Sequence, residues 1–259
     1  MSLIRTESVG DVLVITLDDP ARRNALSLDL NAELIAAIDR AESDSSLSAV
    51  VITGAGPAFC AGADLSQLGD SRREGLIDIY AGFLRVADCA LPTIAAVNGP
   101  AVGAGMNLAL ACDLRIAGAS ARFDTRFLSL GIHPGGGHTW LMNQIAGLQG
   151  TIAMVLFGEV LGADESVAAG LSWAATSDDA LLHTAIDLAS RCSRGGRQLA
   201  IRTKATIRST ALMSEHSRAV SEELETQLWS MDQPEFAERL RAMRAKITSR
   251  PDSAATDRQ

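Results

Sequence analysis

The sequence predicts an α/β fold, and three observations predict it. Short apolar, β-rich runs alternate with stretches of helical period, the connections between them are short, and two of those connections are rich in glycine. Residues 11–17 (DVLVITL) form the first β-rich run. The DDPARRN that follows carries the Asp, Pro and Asn of a turn. From Ser27, a favourable N-cap, Leu30, Leu34, Ile35 and Ile38 recur at helical spacing. Residues 49–53 (AVVIT) read as a buried strand, GAGPAFCAGADL as a glycine-rich loop, and residues 76–89 as a weaker helix. The unit then recurs: residues 93–97 (TIAAV) as a buried strand, NGPAVGAG as a glycine-rich turn, residues 106–112 as a helix and residues 114–117 as a third buried strand. In such a fold, ligands are expected where strands hand over to helices.

Beyond Gly150 the pattern turns helical, over residues 152–157, 164–169, 180–192, 199–210, 215–229 and 234–246. The final residues have no apolar periodicity and read as a disordered tail over 251–259.

Composition narrows the functional classes. A chain of 259 residues that is 47% hydrophobic and 21% charged can bury a large core. A net charge of −8 argues against nucleic acid as a partner, since phosphate binding normally shows as a basic excess. The longest apolar stretches, such as residues 108–112, fall far short of the roughly 20 residues that cross a bilayer, and the first ten residues do not read as a leader. No membrane association and a cytoplasmic location are therefore expected. Cys60, Cys89, Cys112 and Cys192 are widely separated without a CxxC pair, which fits reduced, mostly buried thiols. Trp140, Trp173 and Trp229 are isolated and read as packing residues.

The two glycine loops are the chemical signal. Backbone N–H groups stabilise a developing oxyanion without reorganising, and losing one such donor costs about 3 kcal/mol in a well-studied protease. Residues 59–65 and 98–105 bring bare backbone together for that purpose, and the second loop opens a helix whose N-terminal dipole favours an anion. GAGMNL lacks the third glycine of the dinucleotide fingerprint and no Walker A lysine follows, so a nucleotide-binding loop is a poor reading.

FCAGADL, IAAVNGPAVGAGMNLALACDLRIA, ARF and LGIHPGGG, in this order and at these separations, resemble the crotonase (enoyl-CoA hydratase/isomerase) superfamily, from the first strand to about Trp173 and more loosely beyond. The resemblance implies a spiral of ββα units over residues 1–197, a C-terminal helical oligomerisation region over 198–250, and a homotrimer or hexamer. It implies an acyl- or enoyl-CoA thioester as substrate, with no permanently bound cofactor. It places the oxyanion hole at the N–H groups of Ala63 and Ala104. Coenzyme A contacts fall on Arg22, Arg23 and Ala25 and on Ala61, Gly62, Ala63, Asp64 and Leu65. Guanidinium groups suit phosphate, although Arg22 and Arg23 taken alone read as a solvated turn. Asp64 and Asp113 are expected to be structural. Met106, Met142 and Met154 fit core filling or an acyl-chain wall.

Hydratases of the resembled family use two glutamates, one to accept a proton while the other donates. Laid on that pattern, the chain has Asn107 at the first position and Phe127 at the second, and Gly135 where some relatives carry an aspartate. Asn107 has no useful pKa for proton transfer and Phe127 can only pack. Asp124, His133 and His138 lie close in sequence as alternative acid/base groups, with Arg126 beside them. Two readings of the histidines stay open: a new acid/base centre, or residues that cap the next helix and bond the glycine backbone. Metal binding is not expected, since a zinc site needs three or four ligands. Two functions follow, an enzyme with a non-standard acid/base group, or a non-catalytic acyl-CoA carrier.

Overall fold

The computed structural model describes residues 2–64, 66 and 72–248; Leu65 and the tail expected at 251–259 lie outside the described residues. A six-stranded sheet has the order β1 (Ile4–Val9), β2 (Val12–Leu17), β3 (Ala49–Gly54), β4 (Thr93–Val97), β6 (Leu114–Gly118) and β8 (Ala174–Thr176). The β1–β2 hairpin is antiparallel and all later pairings are parallel. A second, two-stranded parallel sheet joins β5 (Pro100–Val102) to β7 (Arg122–Asp124).

The strands read as continuous apolar runs because alternate residues feed two separate cores. Leu13, Ile15, Leu17, Val50, Ile52, Ala95 and Val97 belong to the larger one, with residues of α1 (Leu28–Ser43), α2 (Arg72–Ala87) and α3 (Ala104–Ala111). Val12, Val14, Val51, Ile94 and Ala96 belong to the smaller, with Leu181, Ala185 and Ala189 of α6 (Asp178–Ser190). Ser27 caps α1 as expected, its hydroxyl accepting from the Leu30 amide at 3.2 Å.

Four strands escape the sequence reading. In β1 only Ile4 is buried, so an exposed edge strand shows no apolar run, and β5, β7 and β8 have three residues each, too few for a period. The turn expected at 98–105 thus contains a strand. α4 (His138–Phe157) joins the helix expected to start just after His138 to the one expected at 152–157, across a break at Gly147, where φ is 69° and ψ 173°. By length and composition alone α4 would pass as a membrane span, with a mean hydropathy of 1.2. His138, Met142, Thr151, Met154 and Val155 are nevertheless buried within the fold.

α5 (Ala163–Ala168) follows, and α7 (Arg197–Thr210) leads to α8 (His216–Met231) and α9 (Pro234–Thr248). The chain divides into two compact units, one ending at Ile201 and the other beginning at Arg202, inside α7. In the second, the Arg202 guanidinium lies 4.1 Å from the centre of the Trp229 ring, and Thr206 bonds Thr226 at 3.2 Å. Trp140 and Trp173 are 56% and 67% exposed, so the expectation that they pack is wrong for both. Met106, Met142 and Met154 are buried in the larger core, and Cys60, Cys89 and Cys112 are buried free thiols.

Candidate active site

Two side-chain amides, buried Asn24 and half-buried Asn98, hold the first glycine loop. Asn24, itself at a left-handed φ of 59°, donates from Nδ2 to the carbonyls of Ala55 and Ala58, both at 2.9 Å, and its Oδ1 accepts from the Asp19 amide. Asn98 accepts from the Gly54 amide and donates to the Gly56 carbonyl, both at 3.0 Å. Local sequence marks both as turn asparagines. Their contacts with the loop span 31 to 44 residues, which is why their role in shaping it was not legible.

The two loops are stitched by backbone. The Cys60 amide donates to Pro100 at 3.1 Å, and the Val102 amide donates to Cys60 at 3.0 Å. A Cβ on Gly105 would lie 2.2 Å from the Cys60 carbonyl oxygen, so only glycine permits this approach. On the other side, the Gly62 carbonyl accepts from Leu26 at 2.7 Å and the Leu26 carbonyl from Asp64 at 2.9 Å. In a trans peptide the C=O and N–H point in opposite directions, so the Ala63 N–H points away from Leu26. The Gly103 carbonyl accepts from the Asn107 amide at 3.0 Å, which turns the Ala104 N–H outward from the first turn of α3. Neither amide has a protein acceptor among the described residues. Two unengaged donors therefore flank the seam where the loops meet.

The site continues into α3 and the loop before α4. Asn107 Nδ2 donates to the Gly135 carbonyl at 3.0 Å, and Asn107 Oδ1 lies 2.6 Å from His138 Nδ1. Phe127 meets the His138 ring edge-on with centroids 4.9 Å apart. A Cβ on Gly103 would lie 3.9 Å from Phe127 Cε1, so the same aromatic ring borders the second loop. The turn of 135–136 packs against α2, where a Cβ on Gly135 would strike the Tyr80 hydroxyl at 2.2 Å and one on Gly136 the Phe83 ring at 2.4 Å. Asn107, Phe127 and His138 are thus one cluster, and Tyr80 and Phe83 support it unforeseen.

The remaining candidates separate. His133 is exposed, with Nδ1 2.7 Å from the Pro134 carbonyl oxygen. Asp124 pairs with the Arg126 guanidinium, and its backbone carbonyl accepts from Gly103 at 2.9 Å. Burial pushes the His138 imidazole down to about 4, leaving it neutral near pH 7. Burial also pushes the Cys60 thiol up to about 12, so it is no nucleophile despite its place in the loop. Asp64 accepts from the Ser66 hydroxyl and amide and lies 3.4 Å from Arg22, holding the loop. Asp113 accepts from the Thr93 amide and hydroxyl at 2.8 and 3.0 Å, fixing the start of β4. Arg22 and Arg23 are exposed, and the cleft lined by Arg22 also carries Asp19, Asp29 and Glu33. Ala25 and Ala61 are half-buried, with the Ala61 amide donating to Arg23 at 2.9 Å. Among the described residues no group of three or more potential metal ligands occurs.

Comparison with known proteins gives the arrangement a context. A family model described as enoyl-CoA hydratase/isomerase matches residues 7–243. The probable enoyl-CoA hydratase EchA14 of Mycobacterium tuberculosis is 48% identical over 240 residues, covering 89% of this chain and 93% of that protein. The crystal structure of an enoyl-CoA hydratase from Bacillus anthracis superposes with a TM-score of 0.88 at 28% identity, over 94% of this chain and 96% of that one. A putative enoyl-CoA hydratase from Thermobifida fusca, solved in complex with CoA, gives a TM-score of 0.80 at 26% identity over 89% and 93%.

Proposed function

Since the chain belongs to the enoyl-CoA hydratase/isomerase family, we propose that it is an enzyme acting on an acyl- or enoyl-CoA thioester, with the N–H groups of Ala63 and Ala104 as its oxyanion hole. One observation carries this reading: two amides without protein acceptors, on loops that bare glycine backbone locks together. Electron density displaced onto the thioester oxygen needs donors already in place, and these are fixed by strand pairing on one side and by a helix start on the other. Coenzyme A would lie along Ala61–Asp64 and Ala25, with Arg22 and Arg23 supplying charge to its phosphates; the Thermobifida relative bound to CoA supports such a ligand. Arg22 already sits near Asp64, so its share in phosphate binding is the smaller.

The reaction differs from two-carboxylate hydration, because Asn107 and Phe127 occupy the positions at which the family pattern expects glutamates. Neither takes up a proton near neutral pH. That same observation favours the second reading, an acyl-CoA carrier that retained the amides and lost the chemistry.

Titration calorimetry with crotonyl-CoA and with coenzyme A alone, paired with the absorbance change on hydration or double-bond migration, tests the proposal. Turnover of any enoyl-CoA supports the enzyme. Binding without turnover across chain lengths favours the carrier, and failure of every thioester to bind removes both.

A further inference from the structure

The tautomer of one buried imidazole is fixed by its neighbours. Asn107 Nδ2 donates to the Gly135 carbonyl, an acceptor only, so the atom that faces His138 Nδ1 is the amide oxygen. That oxygen can only accept, so Nδ1 carries the proton and the basic lone pair of the neutral ring resides on Nε2. His138 is 1% exposed, and its Nε2 is buried without a hydrogen-bond partner among the described residues. An orphaned nitrogen of this kind costs about 1–3 kcal/mol, and a hydrocarbon side chain of similar size would fill the space without that cost. The polar atom has no structural return. The imidazole lies in the cluster with Asn107 and Phe127, and the Phe127 ring in turn borders the loop that presents the Ala104 amide.

We propose that His138 Nε2 is the proton acceptor of this site, held by Asn107 as a positioning residue and screened by the Phe127 ring until a thioester displaces that ring. The proposal rests on the thioester reading above. Burial is the cause of the lowered imidazole pKa, no charged side chain contributes to it, and the result is about 4. A base whose conjugate acid has that pKa matches an ordinary glutamate, about 4.3, in proton affinity. The imidazole therefore supplies from the start of α4 the basicity that Asn107 and Phe127 lack. In the reaction the Cα–H bond breaks and its proton passes to Nε2. The electron pair forms the carbon–carbon double bond of the enolate, and the carbonyl π pair moves to oxygen, where the Ala63 and Ala104 amides receive it. The imidazolium returns its proton to the α carbon, or to the γ carbon of an enoyl chain, which shifts the double bond. No further reactant is required.

The test uses butyryl-CoA in D2O, because a saturated thioester isolates proton abstraction from any later step. Mass spectrometry reads deuterium entering at the α carbon and calorimetry reads binding. His138→Asn keeps an amide donor for Asn107 Oδ1 but has no basic nitrogen; it is expected to bind within about threefold of the wild type and to exchange at least about 100-fold more slowly. Asn107→Asp places a carboxylate beside Nδ1, raises the imidazole pKa and is expected to move the acid limb of the exchange rate to higher pH, which loss of a purely structural residue would not do. If His138→Asn does not fold, nitrogen NMR of the wild type decides: Nδ1 must be the protonated nitrogen and the Nε2 resonance must move on adding butyryl-CoA. Equal exchange by His138→Asn, no exchange by wild type that binds the probe, or an Nε2 resonance indifferent to it overturns the proposal and leaves thioester binding standing. No binding by the wild type shows instead that the thioester reading has failed.

Discussion

Asn107 connects two parts of the chain that would otherwise present an unpaired carbonyl and an unpaired imidazole N–H to a buried space. Asn107→Ala removes both bonds and leaves both groups orphaned, so a loss of about 1–3 kcal/mol in unfolding free energy is expected from urea titration. A loss under a few tenths would mean that water replaces the side chain. His138 adds a pH dependence of definite sign. Its pKa is about 4 in the folded protein against an ordinary 6.5, so between those values the unfolded chain binds more protons. This residue's contribution is complete above pH 6.5 and falls as pH drops toward 4, by on the order of 3 kcal/mol. Between pH 7.5 and pH 4.5, urea titrations should show the wild type losing more stability than His138→Asn. Parallel losses in the two proteins would show that the imidazole is not buried neutral. Asn107, Phe127 and His138 were each visible in the sequence as odd residues at interesting positions. That they touch was not, because the bond from Asn107 to His138 spans 31 residues and leaves no local pattern.

At the scale of elements, the seam between the two glycine loops sets where the amides lie. Gly105→Ala would place a methyl 2.2 Å from the Cys60 carbonyl oxygen, and a backbone oxygen cannot swing aside as a side chain can. The loops must part, at a cost of about 1–3 kcal/mol, and affinity for a CoA thioester should fall with them. Gly62→Ala acts differently: its φ of 115° strains any other residue, and the Val102 oxygen stands 3.1 Å from the new methyl. Thermal melts and calorimetry on both variants check this; affinity unchanged in a destabilised Gly105→Ala would detach ligand binding from the seam. The buried strands and α1 were legible because their signals are local: β-rich runs of five or six residues, and a capped period of 3.6. The short strands β5 and β7, which carry the second loop, were not, since three residues take their conformation from partners far away in the chain.

At the scale of the whole molecule, each of the two units carries a helix with a stripe of apolar side chains. Leu148, Ile152 and Leu156 recur at intervals of four along the second half of α4, and Leu148 and Leu156 are 68% and 59% exposed. Val220, Leu224, Leu228 and Met231 form a like series on α8, each about half exposed. Contiguous apolar surface of this kind marks an interaction site; the stripe on α8 fits the trimer or hexamer that the resemblance implies through the C-terminal helices, and we propose that the stripe on α4 also meets a second copy of the chain. Unlike patches on identical chains close into a ring when the rotation between copies allows it. For the trimer or hexamer that the resemblance implies, light scattering behind a sizing column should give the mass of three or six chains. Replacing Leu148 and Leu156 together with Glu buries two carboxylates in such an interface yet leaves them in water on an isolated chain, where exposed substitutions change stability by about 0.5 kcal/mol or less. The double variant should keep the circular dichroism of the wild type and elute as a smaller species. A wild type that is already monomeric, or a double variant of unchanged mass, would mean that α4 faces something other than a second copy.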